Sequence, residues 1–132
     1  MVAPGTLRAM AGPTAQVFGT PDSPATRAAL RFFKERRIQV HFVDVSRKPM
    51  APTELRRFID RLGARGVADE TSKAWRDAGL GYLQMDDFEL AERLLNDQRL
   101  LKLPLVRIGA GVAAGRDDAA WKGLLTTLVS SH

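Results

Sequence analysis

Val17-Phe18-Gly19-Thr20-Pro21-Asp22-Ser23-Pro24-Ala25-Thr26-Arg27-Ala28-Ala29-Leu30 is the stretch on which the fold turns. The apolar run Ala15 to Gly19 is stopped by Gly19, Pro21 and Asp22, which predicts a short strand. Ser23-Pro24 then sets a capping residue before a proline at the first helical position, where a missing N–H is harmless. Ala25, Ala28, Ala29, Phe32 and Phe33 recur at spacings of three and four, the apolar face of a helix reaching about Arg37. Ile38 to Val45 is β-branched and partly alternating, so it reads as a second strand. Strand, helix and strand in about thirty residues predict a parallel βαβ unit with a right-handed crossover.

Further along, Leu55, Phe58, Ile59 and Leu62 lie at helical spacing over Pro52 to Leu62, ended by Gly63. A less regular stretch holds Trp75 and Tyr82. Asp86-Asp87-Phe88-Glu89 opens another helix, with acids where the dipole favours them and Leu90, Leu94 and Leu95 facing inward. This block carries no convincing strand. Leu103 to Gly109 returns to strand character, Gly111 to Gly115 reads as its hairpin partner, and Asp117 to Val129 closes as a helix with Trp121, Leu124, Leu125 and Leu128 on one side. The layout is βαβ, a helical insertion over about residues 46–100, then ββα. It predicts a four-stranded mixed sheet with helices on its faces, the thioredoxin-like (glutaredoxin-like) α/β plan, with Val17 and Leu105 in one sheet.

Composition narrows the function. The 132 residues (14.5 kDa) fit one domain, here 15–131 behind a loose Ala/Gly/Pro-rich leader at 1–14. There is no cysteine, which excludes disulfides, thiolate metal sites and cysteine nucleophiles. Two histidines and scattered acids show no metal-ligand spacing, and phosphate-loop and dinucleotide glycine patterns are missing, so no metal or cofactor is expected. No apolar run approaches the roughly 20 residues of a membrane helix, and no signal peptide is evident, so a cytoplasmic location away from membranes is the expectation. The net charge of +5 is uneven: residues 27–65 carry eleven Lys/Arg against Glu35, Asp44, Glu54 and Asp60. Such a basic half suits an anionic partner, or is simply a solvated surface. Aromatics are not interleaved with the cations, so nucleic acid is not the expected partner.

The chain resembles the glutaredoxin-dependent arsenate reductases and their Spx-type regulator relatives. That family opens with strand, proline, any residue, catalytic cysteine, three residues and arginine. Pro21 and Arg27 stand at the matching positions, and Ser23 stands at the cysteine. Lys73 to Leu80, centred on Trp75, resembles the aromatic segment of the family's insertion. Leu94 to Val106 resembles the approach to its cis-proline, and Gly115-Arg116 its late turn. The resemblance implies a cis Leu103–Pro104 bond facing the Ser23 turn.

The departures bear on chemistry. Thr26 occupies the second cysteine position of redox-active Spx-type members. Leu103 stands where a basic residue often precedes the proline, with Lys102 adjacent, and Asp69 and Thr71 replace an Asn and an Arg upstream of the aromatic. A serine hydroxyl keeps the geometry of a thiol but forms no disulfide. As a nucleophile it would need a base, and His41, in a strand, and His132, at the end, are poorly suited. What survives without sulfur is an anion cradle: the first-turn N–H groups of Ala25 and Thr26 beside Ser23 and Arg27, with Pro104 opposite and Arg107 and Arg116 as further charges. The plainer alternative is that Ser23 only caps the helix. Three readings follow: a non-redox binding or regulatory module, taking a small oxyanion or a protein; an arsenate reductase-like oxidoreductase whose cysteine has been replaced; or an Spx-type regulator contacting RNA polymerase.

Overall fold

Ala15 and Val17 point to one side of strand β1 (Thr14–Gly19) and Phe18 to the other, and all three are buried because the strand lies inside the sheet. The computed structural model describes residues 14–130; the expected leader, apart from Thr14, and His132 lie outside them. Helix α1 (Pro24–Glu35) leads to strand β2 (Gln39–Asp44), which runs parallel to β1 from Thr14 opposite Gln39 to Gly19 opposite Asp44. The helix stops at Glu35, sooner than its spacing suggests. Arg37 adopts a left-handed φ of 59°, its N–H bonding the Lys34 carbonyl while the Ile38 N–H returns to Phe33. This is the Schellman ending, with arginine in the place usually given to glycine.

The insertion is helical, as expected. It comprises α2 (Pro52–Leu62), the short α3 (Ala64–Val67) and α4 (Lys73–Asp77), α5 (Asp87–Asn96), and single 3-10 turns at Leu80–Tyr82 and Gln98–Leu100. Gly63, at φ 80°, ends α2, and Asp86 caps α5 by accepting from the Glu89 N–H at 2.8 Å. The strand-like contact found here is one isolated antiparallel bridge, Ala68 to Leu101. A side chain holds entrance and exit together: the Gln98 carboxamide accepts from the Met50 N–H and donates to the Met50 carbonyl, both at 2.8 Å.

Strands β3 (Leu105–Ile108) and β4 (Gly111–Ala114) complete a sheet of order β2-β1-β3-β4, with β3 antiparallel to both neighbours. Val17 pairs with Val106 and Phe18 with Leu105, so the one-sheet expectation holds. Helix α6 (Asp118–Ser130) follows; Trp121 is fully buried and Leu124 and Leu125 partly so, while the Leu128 side chain lies outside the described part. Two apolar layers result. Phe18 and Leu105 pack under the insertion with Leu55, Phe58, Leu90 and Leu94. Val17, Val106 and Ile108 pack under α1 and α6 with Phe32, Phe33 and Trp121. No helix among the described residues is long and apolar enough to cross a membrane.

Candidate functional site

The turn between β1 and α1 is drawn tight by its own polar groups. The last residue of β1, Gly19, has the helix directly against it: a Cβ there would collide with Thr26 Oγ1 and sit 2.7 Å from Thr26 Cγ2. Thr26 is fully buried, a polar residue inside the core, and its hydroxyl faces the Thr20 N–H at 3.4 Å. The Ser23 N–H closes the turn onto the Thr20 carbonyl at 3.1 Å.

Ser23 is the cap of α1: its Oγ accepts the Thr26 N–H at 3.1 Å, and its carbonyl accepts the Arg27 N–H at 3.0 Å. One of the two N–H groups of the expected cradle is therefore engaged by Ser23 itself. The Ala25 N–H has no partner among the described residues, and Pro24 offers none. Arg27 lies one turn into the helix, but its Nη1 folds back to the Pro21 carbonyl at 3.0 Å and braces the turn. Ser23 Oγ is engaged as the cap of α1, and Arg27 contributes charge from outside the loop.

At Pro104 one implication of the resemblance is met. The Leu103–Pro104 bond is cis. The Pro104 carbonyl accepts the Gly115 N–H at 2.9 Å, which brings the turn after β4 beside the proline. Gly115 has a left-handed φ of 76°, and a Cβ there would come within 2.6 Å of Lys102 Cδ. The Lys102 stem thus crosses Gly115, and Arg116 follows it, exposed and 3.6 Å from the Asp118 carboxylate. Both cations lie at the end of the sheet where β1 delivers Ser23.

Arg107 is held elsewhere. It lies opposite Gln16, farther along β1 from Ser23 than the Phe18–Leu105 pair. Its guanidinium bonds Glu54 at 2.7 Å, Gln16 at 2.6 Å and the Gly109 carbonyl at 3.1 Å, tying β3 to α2. The structure does not bring it to the turn. His41 is also distant, exposed on β2 opposite Gln16, and offers Ser23 no base.

Beside the turn opens a cleft of about 620 Å³, lined by Thr20, Val45, Pro49, Leu95, Gln98 and Leu103. Asp97 and Arg99 stand at its rim in a two-bond pair of 2.8 and 2.9 Å. The hydrogen bonds from Arg99 hold the Asp97 carboxyl below its ordinary range, although partial burial works the other way. The cleft escapes a sequence reading because its walls come from four separated segments. Among the described residues no group of three His, Asp or Glu side chains is placed to hold a metal ion.

Against known proteins, the ArsC family matches residues 18–124. An arsenate reductase of Neisseria meningitidis serogroup A is 28% identical over 107 residues, spanning 79% of this chain and 92% of that protein. Among solved structures, an arsenate reductase from Vibrio cholerae superposes with a TM-score of 0.72 at 18% identity, over 87% of this chain and 98% of its own. An ArsC family related protein from Bacteroides fragilis gives 0.75 at 18% identity, over 83% and 96%. These likenesses carry the thioredoxin-like fold.

Proposed function

Because the chain belongs to the ArsC family and the resemblance puts Ser23 at the reactive cysteine, we propose that it is an arsenate reductase-like protein that works by binding and not by redox chemistry. The observation that carries this reading is the state of Ser23, whose hydroxyl caps α1 in a chain without any cysteine. Arsenate reduction transfers two electrons from sulfur to arsenic: a thiolate bonds arsenic, and a second thiol releases the reduced product by forming a disulfide. A serine hydroxyl supplies neither the electrons nor the disulfide.

The ligand class that fits this end of the sheet is a small oxyanion. In this reading Ser23 Oγ, the Ala25 N–H and Arg27 would supply one side of the site, and Pro104, Lys102 and Arg116 the other. Thr26 acts through the cap, and Arg107 takes no part. With one first-turn N–H already engaged, binding is weak, in the millimolar range of roughly −4 kcal/mol. A protein partner at the same end is compatible with the Spx-type resemblance, and the cytoplasm is the proposed location.

The test is glutaredoxin-coupled arsenate turnover beside an active family member, which should stay at the no-protein blank. Turnover above the blank refutes the reading. Phosphate titration followed by the amides of residues 23–27 tests the oxyanion. Shifts confined to other basic surfaces would leave Ser23 as a helix cap alone. A Ser23→Cys variant asks what remains of the site: its thiol receives the Thr26 N–H and should titrate below the ordinary value of about 8.5.

A further inference from the structure

Strand β2 has β1 on one side and no strand on the other. In a parallel pair about half of a strand's N–H and C=O groups face away from its partner, so β2 presents a row of them along its outer edge. Native edges are usually blunted by lysine, proline or a bulge. Gln39-Val40-His41-Phe42-Val43-Asp44 contains neither residue, and it pairs with β1 rung for rung without a bulge. Val40, Phe42 and Val43 are only half-buried. On the sheet face that carries Phe18 and Val43 opens a groove of about 510 Å³, with Pro49 and Met50 also in its walls and His41 and Glu54 lining it, while Val40 and Phe42 pack against the opposite layer.

Both ends of this edge are positively charged. Arg36 and Arg37 precede it, Arg47 and Lys48 follow it, and all four are exposed. Among the described residues none of the four pairs with a carboxylate. Arg36 instead lies 3.6 Å over the Phe32 ring and donates to the Phe32 carbonyl. The nearby Asp44 carboxylate is occupied by the Ser46 N–H and hydroxyl.

We propose that the β2 edge takes up an extended acidic peptide as a fifth strand, its apolar centre over the groove and its acids meeting the cations at both ends. The charge pattern argues against a second copy of this chain in that place. An antiparallel β2–β2 pairing would set Arg36 and Arg37 of one copy beside Arg47 and Lys48 of the other, like against like at both ends. A nucleic acid would find the cations but no stacking platform, since the exposed aromatics Tyr82 and Phe88 belong to the insertion.

The full chain is titrated against a fluorescein-labelled Asp-Glu-Val-Thr-Val-Thr-Val-Asp-Glu peptide, with amide hydrogen exchange read at residues 39–44. The expected result is saturable binding, slowed exchange confined to β2, and weakening by salt. An Arg47→Glu/Lys48→Glu double variant, whose exposed side chains leave the core untouched, should bind about tenfold more weakly. The proposal is overturned by no binding, by binding that leaves β2 exchange unchanged, or by equal binding of the peptide with lysine at its acidic positions. Displacement of the peptide by oligouridylate at comparable concentration would assign the surface to nucleic acid instead. Dimerisation that protects β2 without peptide would assign it to a second copy.

Discussion

Two residues mark where local chemistry sets the stability of the fold. Ser23 satisfies a helix donor with its hydroxyl, so Ser23→Ala should cost about 1 kcal/mol, whereas Ser23→Asp, which keeps a capping oxygen, should cost far less. Urea unfolding measures both, and an unchanged midpoint for the alanine variant would show that the cap does little. Arg37 presents the reverse case. Its left-handed backbone is costly for a side chain and natural for glycine, so Arg37→Gly should raise stability by about 0.5–1 kcal/mol despite deleting a charge. Ser23 could be read from the sequence because Ser-Pro is a local signal that needs no partner. Arg37 could not, because arginine carries no turn signature, and the ending shows only in the two hydrogen bonds that close it. Nor could Arg107, whose partner Glu54 is remote in the chain and joins it only once α2 lies over the sheet.

At the level of elements, the long periodic helices and the apolar strands were legible and the short helices were not. Pro52–Leu62 appears where its leucine and phenylalanine spacing and Gly63 place it, and the four strands follow their apolar runs. Ala64–Val67 and Lys73–Asp77 are too short to display a helical period; Ala64, Val67 and Trp75 join the apolar layer under the insertion, and Ser72 caps the second of them by accepting the Trp75 N–H. The Gln98 clamp was invisible for a similar reason: a lone glutamine reads as surface until Met50 is beside it. Gln98→Ala would leave the Met50 N–H and carbonyl unpaired next to a buried side chain, a loss of about 1–3 kcal/mol. Faster amide exchange near the start of α2 is the local readout. Gln98→Glu adds a pH signature. Ionised, the new carboxylate accepts from the Met50 N–H but faces the Met50 carbonyl with no donor; protonated, it regains one. That variant should therefore gain stability relative to the parent as pH falls through the carboxyl range, and a flat difference between pH 7 and 4 would contradict the clamp.

Across the whole molecule, β1 and β3 supply side chains to both apolar layers, so neither layer is complete without the shared sheet. The overall topology could be read from element order alone, while the placement of charge on the finished surface depended on which strand became an edge. The two layers differ in one convenient respect. Trp75 is buried in the layer under the insertion and Trp121 in the layer under α1 and α6, and the chain has no other tryptophan. Each half of the interior therefore carries its own emitter, well shielded from water. Trp75→Phe leaves a protein whose ultraviolet fluorescence reports one side of the sheet, and Trp121→Phe leaves one that reports the other. A single cooperative domain requires each variant's red shift on denaturation to coincide with its own loss of circular dichroism. A shift of the Trp75 signal ahead of that loss would mean that the insertion loosens while the sheet still stands, and light alone would show it.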